Sequence, residues 1–436
     1  MSTEARPQAE EYHALPARPV DPARFTDERT YGDTRLPVEL ASTLIPDAYT
    51  SEAFFAVERE RVFASSWVAV GTTSEVDAPG RCLVAEVAGR SLIVTRNRHG
   101  ALRAFHNVCR HRATKLLTDD ATHVGRRDRI QCPYHSWTYD LDGDCIGTPL
   151  FEGSDVPEGQ EAVFDTSDAL DFDRADYGLL TAAAAEWGFL VFVSLAPDPE
   201  PLAVHLGDLP ARFADHQLER WSPQRRRTYE VAANYKLIGE NFMEYYHLPW
   251  VHPELSRVSK FSDHYRWQGP GRYTGMTTTP VSPGGDDGGW DGLAPVAGLG
   301  PVDADAGRFV WLFPNVALVV LPNHAFVLFN RPLAPGRTLE TAVILAHPDS
   351  TAHPDAEAGL DQLERFWDLV NRQDLEIVER VQEGIANPAY RGGRLCFRFE
   401  EPLHRFQNMV IDHMVGERRV PAGDAETLVR MFPDPA

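Results

Sequence analysis

Two short pairs of metal-ligand residues constrain this chain more than anything else in its 436 residues. Cys109-Arg-His111 and Cys132-Pro-Tyr-His135 are separated by 20 residues, Arg112 to Gln131. Each pair closes a β-like run, so two hairpin loops can bring the four side chains together. Two thiolates and two imidazoles suit either zinc or a [2Fe–2S] cluster. Zinc knuckles commonly place Cys with Cys and His with His, whereas each loop here carries one of each. Mixed loops can give both thiolates to one iron and both imidazoles to the other. Neutral imidazoles lower the cluster's negative charge and raise its potential, which suits an electron relay. Cys82, Cys145 and Cys396 lack such spacing and are expected to be small core residues. Five cysteines in so long a chain are no disulfide framework.

The hydrophobic pattern places these loops. Residues 1–40 are rich in Pro, Ala, Arg and Glu without periodicity, and are expected to form a mobile N-terminal arm. A helical stripe opens at Thr50–Ser51, with Phe54, Phe55, Val62 and Phe63 mostly on one side. From Trp67 the period shortens to strands separated by DAPG, AG and RHG turns. A small all-β domain is therefore expected, within a first domain over 41–180. In 181–436 a strand-like RRRTYEV leads into a helix over about 234–247. Residues 269–306, with Gly and Pro throughout, read as a structureless lid-like loop. RFVWLF, NVALVVLP, HAFVLFNRPL and TLETAVILA read as consecutive antiparallel strands, and 355–385 as a long amphipathic helix stopped by Gly384 and Pro388. The fold class is α+β.

Composition excludes several functions. A net charge of −22 disfavours nucleic acid, which needs a basic footprint. No run reaches the roughly 18 uncharged apolar residues of a membrane span. The sequence MSTEARPQAEEYHALPARP has no apolar core for a secretory signal. A soluble cytoplasmic protein is expected.

A second constellation lies in Glu240-Asn241-Phe-Met-Glu244-Tyr-Tyr-His247-Leu-Pro249-Trp250-Val-His252. Five residues on an ideal helix turn the two imidazoles about 140° apart. Pro249 is expected to break the helix after His247 and let His252 swing to the same metal. Two His and one carboxylate make the facial triad of non-heme Fe(II) oxygenases, with positions left open for O2 and substrate. In VNRQDLEIVERVQEG, Asp374, Glu376 or Glu379 would each serve.

CRHR and CPYHSWTYDLDG resemble the cluster-binding loops of Rieske proteins, and SWTYDLDG in particular resembles the α subunits of Rieske non-heme iron oxygenases. Two departures stand out: Ala113 replaces the usual Gly after CxHR, and the inter-loop spacing is slightly long. The resemblance runs from about residue 40 to 420. It implies an all-β Rieske domain, with Cys109, His111, Cys132 and His135 on a [2Fe–2S] cluster. It also implies a helix-grip catalytic domain, an antiparallel sheet with a long C-terminal helix. Mononuclear Fe(II) would be held there by His247, His252 and, matching the family's QD position, Asp374. Glu244 stands where many members have an Asp that bridges a cluster His of one subunit, here His135, to an iron His of the next, here His247. Glu240 and Asn241 match the family's EN pair, and Asn241 joins Glu244 as a candidate catalytic residue. Further implications are a head-to-tail α3 homotrimer and electrons from NAD(P)H through a flavin/iron–sulfur reductase or ferredoxin. O2 would be the oxidant of a small molecule, by mono- or dioxygenation.

ENFMEYYH resembles the Rieske monooxygenases of quaternary ammonium compounds of betaine, stachydrine and carnitine type. Such a cation donates no hydrogen bond, so aromatic faces must hold it. Candidates are Trp250, Tyr265, Trp267, Tyr273, Trp290 and Trp311. Hydroxylation of an aromatic ring or natural-product scaffold is the alternative. A non-catalytic Rieske electron carrier is the reading from a different class, and a carrier needs no facial triad.

Overall fold

The computed structural model describes residues 21–118, 127–151, 171–253, 255, 264–279, 293–420 and 429–430. Apolar alternation builds a first sheet in the order β1-β9-β8-β4-β3-β2. Its strands are β1 (Val68–Thr72), β2 (Cys82–Val87), β3 (Arg90–Arg96), β4 (Leu102–His106), β8 (Thr181–Trp187) and β9 (Leu190–Ser194). The sequence boundary at 180 therefore falls too early: β8 pairs with β4, and β9 with β1. A three-stranded sheet of β5 (Ile130–Gln131), β6 (Thr138–Tyr139) and β7 (Cys145–Gly147) sits between them in sequence.

The second half is an antiparallel sheet in the order β10-β16-β15-β14-β13-β12-β11-β17. It comprises β10 (Ser222–Val231), β11 (His264–Trp267), β12 (Tyr273–Thr278), β13 (Gly307–Leu312), β14 (Val316–Val320), β15 (Ala325–Ala334), β16 (Arg337–Ala346) and β17 (Val429–Arg430). The long helix Ala356–Ile385 lays Leu360, Leu363, Trp367, Val370 and Val378 on the same core as Phe326, Leu328, Ala342 and Ile344. Those four strand residues alternate along β15 and β16, so one face of the sheet carries the helix. Among the described residues no helix is long and apolar enough to cross a membrane.

Three expectations are corrected. Within the supposed arm, residues 21–40 pack down: Phe25 and Tyr31 are buried, and Arg35 pairs with Asp412 at 2.7 Å on the helix Glu401–Val415. Two aromatic anchors supply apolar area that the polar average concealed. Residues 1–20 lie outside the described residues. Within the supposed loop, YTGMTT forms β12, paired with both β11 and β13. Gly275 is needed there because a Cβ would lie 2.4 Å from the Trp267 ring. Finally, Pro249 does not break the helix after His247. The helix Tyr235–Phe242 has already ended, and Pro249 begins the short helix Leu248–Val251, where a missing N–H costs nothing. Reading the sequence did not assign the helix Glu401–Val415, although Leu403, Phe406 and Val410 mark its stripe and Gly416, at φ 82°, its end.

Candidate metal centres

The two Cys/His loops fold alike. In each, the Cys carbonyl accepts the amide four residues on: Ala113 to Cys109 at 3.0 Å and Ser136 to Cys132 at 3.1 Å. Each Cys amide donates to the carbonyl five residues on, Thr114 at 2.9 Å and Trp137 at 2.8 Å. The fourth-on residue turns left-handed, φ 57° at Ala113 and 59° at Ser136. Glycine suits that conformation best, so the Ala113 departure carries local strain.

These twin turns bury Cys109 and Cys132 and set the His111 and His135 rings 4.7 Å apart. Trp137 stacks on His111 at 4.9 Å, and exposed Tyr134 stacks on His135 at 3.6 Å. Burial alone would raise the Cys132 thiol, but amides of Tyr134 and His135 pull it down overall. Burial, then the charges of His135 and Arg112, lower His111. Nδ1 of both His111 and His135 is buried without a hydrogen-bond partner. Two orphaned imidazole nitrogens beside two buried thiols fit a cluster. Cys82 and Cys145 are buried and Cys396 half-buried, all unpaired.

The second site joins three elements. His247 caps the start of the helix Leu248–Val251 and His252 its end, while Asp374 comes from the long helix. One ligand atom from each lies within 4.8 Å of the others. Nε2 of His252 stands 2.8 Å from Oδ1 of Asp374, and Nε2 of His247 stands 3.5 Å from it. The outer nitrogens are held from behind, Nδ1 of His252 by Gln373 Oε1 at 2.8 Å and Nδ1 of His247 by Glu244 Oε1 at 2.5 Å. Those oxygens accept, so each Nδ1 carries a hydrogen and each ring turns its Nε2 toward Asp374. Two imidazole nitrogens and a carboxylate oxygen converging on one point are a donor set that fits Fe(II). Burial would lower His247; its hydrogen bond to Glu244 and the charges of Glu244 and Asp374 more than offset that, for a net rise. Glu376 instead pairs with Arg380 at 2.6 Å, and Glu379 accepts the Ala232 amide at 2.9 Å.

Glu244 bends back on its own turn, also accepting the amides of Tyr246 and of His247, the latter at 3.1 Å. Behind it, Glu240 is buried, accepting from Tyr49 at 2.7 Å and Gln407 at 2.9 Å.

The cavity over the triad is walled by Phe242, Tyr245, Phe309, Phe326, Leu328 and Trp367, with Asn241, Asn371, Glu244 and Asp374 as polar members. The described aromatic candidates read from sequence lie elsewhere. Trp267 and Tyr273 are core residues, the former under Arg212 at 4.6 Å, and the Tyr273 hydroxyl is spent on Asp208. Trp311 is buried over Gly239, where a Cβ would meet it at 2.7 Å. Trp250 is 71% exposed, Tyr265 lies on β11, and Trp290 falls outside the described residues. Periodicity holds the missed signal: Trp367 and Asn371 precede Asp374 by seven and three residues, on one helix face. Gln373 was overlooked as the neighbour of the ligand.

Residues 66–158 match the Rieske [2Fe-2S] domain family, and residues 218–416 match the catalytic domain of ring hydroxylating alpha subunits. The glycine betaine monooxygenase oxygenase subunit of Chromohalobacter salexigens is 29% identical over 398 residues, 84% of each chain. The carnitine monooxygenase oxygenase subunit of Escherichia coli K12 is 28% identical over 360 residues, 80% of this chain and 85% of that one. The structure of a quaternary ammonium Rieske monooxygenase is similar with a TM-score of 0.73 at 24% identity, covering 87% of this chain and 99% of the other. Naphthalene 1,2-dioxygenase from Rhodococcus sp. gives 0.68 at 20%, covering 86% and 95%. At those identities the structures speak for the fold.

Proposed function

Since this chain belongs to the Rieske non-heme iron oxygenases, we propose that it hydroxylates a small quaternary ammonium compound of betaine type, next to nitrogen or by oxidative N-demethylation. One observation carries the reading. The described walls of the triad cavity offer aromatic rings and no Lys or Arg, and its two carboxylates, Glu244 and Asp374, add negative charge while engaged at the iron site. Such a lining favours a cation that cannot donate hydrogen bonds.

His247, His252 and Asp374 would hold iron, which would supply O2 reduction and oxygen insertion, and Cys109, His111, Cys132 and His135 would hold the [2Fe–2S] cluster that supplies electrons. The chain's own residues do the rest. Glu244 and Gln373 fix the tautomer and direction of the two imidazoles. Asn241 and the aromatic wall hold the substrate and limit water. Hydroxylation of an N-methyl carbon leaves a carbinol that collapses to formaldehyde and the lower amine.

Assembly follows from Glu244. Three of its roughly four lone-pair sites are used within its own turn, leaving one for a partner. Beside it lies exposed Tyr246, with exposed Trp250 at 5.7 Å and Phe399 stacked on it at 5.6 Å. The cluster loops end in exposed Tyr134. A head-to-tail homotrimer would seat one chain's His135 loop on the next chain's Glu244 surface. Electrons would enter from NAD(P)H through a flavin/iron–sulfur reductase or ferredoxin. Five unpaired thiols suit the cytoplasm. The domain division proposed is the Rieske domain through β9 and the catalytic domain thereafter, with residues 21–40 packed on the helix Glu401–Val415.

The deciding experiment offers purified oxygenase, with a reductase, a panel of betaines, carnitine-like compounds and arenes. Formaldehyde from a trimethylammonium substrate is expected, and phenol or cis-diol formation alone would replace this reading by the arene alternative.

A further inference from the structure

Next to the triad cavity, on the strands that wall it, lies a polar pair that none of the roles above uses. Along β15, Phe326 and Leu328 line the cavity, and the next residue on that face is Asn330. Directly opposite Asn330 on β16 is Glu340, as Ala342 is opposite Leu328 and Ile344 opposite Phe326. Both polar residues are 0% exposed. Glu340 Oε1 accepts Nδ2 of Asn371 at 2.7 Å. Glu340 Oε2 and Asn330 Oδ1 are each buried with no hydrogen-bond partner.

Two orphaned acceptors on facing cross-strand positions are costly as they stand. A single proton on Glu340 Oε2, donated to Asn330 Oδ1, satisfies both. It also removes a buried negative charge behind Asp374. Glu340 is fully buried, and burial followed by the Asp374 charge raises its carboxyl to about 7 despite the Asn371 hydrogen bond. On its other side Tyr229 of β10 stands opposite, with its hydroxyl spent on Asp368 at 2.6 Å, and brings no positive charge.

Oε1 accepts in either protonation state, and this has a consequence for Asn371. Its Nδ2 must face Glu340, which leaves Oδ1 as the end available to the cavity it lines, three residues from Asp374. We propose that Glu340 is a positioning residue: held as the neutral acid against Asn330, it turns the Asn371 amide so that a carbonyl oxygen meets the substrate. An amide oxygen there suits the polarised N-methyl hydrogens of a trimethylammonium group and repels an anionic substituent. The substrate half of this inference rests on the quaternary ammonium reading.

The test has two arms on the metal-loaded protein. Infrared difference spectra between wild type and Glu340→Gln at about pH 6, below the value of about 7 to which the carboxyl is raised, with no substrate present, should show the carbonyl stretch of a protonated carboxylic acid. Only a carboxylate band lost in the variant overturns the proposal. In the second arm, Glu340→Leu should raise KM for the trimethylammonium substrate about tenfold, the loss of one oriented contact. Glu340→Gln, which can accept from Asn371 and donate to Asn330, should restore it. A Gln variant as impaired as the Leu variant overturns the proposal as well. If no trimethylammonium compound is turned over by wild type, the substrate reading fails, while the infrared arm still decides the state of Glu340.

Discussion

Nε2 of His252 lies 2.8 Å from Oδ1 of Asp374, a carboxylate 122 residues further along the chain. The end of a short helix and the body of a 30-residue helix thus meet at one point. A metal bound there ties the sheet's entry segment to the helix that covers it.

Asp374→Ala should therefore lose mononuclear iron alone. Iron per chain is expected to fall from about three to about two while the visible spectrum of the cluster is kept. Unchanged iron content would remove Asp374 from the site. Glu376 and Glu379 are no ready substitutes, since their oxygens already serve Arg380 and the Ala232 amide.

Replacing Glu244 by Gln keeps its size but weakens the acceptor behind His247 Nδ1. Turnover coupled to reductase should drop about 10- to 100-fold, with the cluster spectrum intact. Stopped-flow reoxidation of the reduced cluster in the presence of substrate and O2 would report the effect. Reoxidation at the wild-type rate would take Glu244 out of the electron path.

Ala113 sits at φ 57°, where glycine is at ease. Ala113→Gly relieves about 1–2 kcal/mol of left-handed strain and gives back part of it as unfolded-chain entropy. A net gain of about 0.5–1 kcal/mol is expected, read as slower cluster loss in urea. Faster loss would show that the methyl packs favourably enough to outweigh the strain.

Burial lifts the Glu240 carboxyl to about 7, from an ordinary 4.5, despite its bonds from Tyr49 and Gln407. The folded chain keeps this proton at pH values where the unfolded chain has released it. The stabilisation is complete below about 4.5 and is lost as pH rises through 7, a change of about 3 kcal/mol. Urea titrations of the Glu240→Gln variant should show a flatter decline between pH 5 and 8 than wild type. Parallel declines would mean that Glu240 ionises normally.

The sequence shows the ligands more clearly than the pocket. Cys109, His111, Cys132 and His135 stand out because a cluster would demand fixed residue types at short spacing, and the structure brings His111 and His135 side by side. His247 and His252 stand out for the same reason and meet as well, although the segment that joins them is not legible: Pro249 looked like a terminator and lies in the first turn of a helix. Asp374 could be chosen only by resemblance, because Glu376 and Glu379 lie within five residues of it on the same helix and only the fold shows which of them faces the two imidazoles. Aromatic residues defeat local reading altogether. Trp267, Tyr273 and Trp311 sit in the region expected to form the pocket, yet the strand pleat turns them into the core. Phe309, Phe326 and Trp367, from two strands and a helix distant in sequence, line the cavity instead. Which face a strand residue presents depends on register, and register is a property of the sheet.

One oxygen of Glu240 accepts from both Tyr49 and Gln407, which are 358 residues apart. Glu240 belongs to the helix that leads into His247, so the opening and closing stretches of the chain are fastened to the same short rod that aims a metal ligand. Fusion partners or trimming that loosen either stretch should be felt as weakened iron retention before any general loss of folding, although neither Tyr49 nor Gln407 belongs to the metal site.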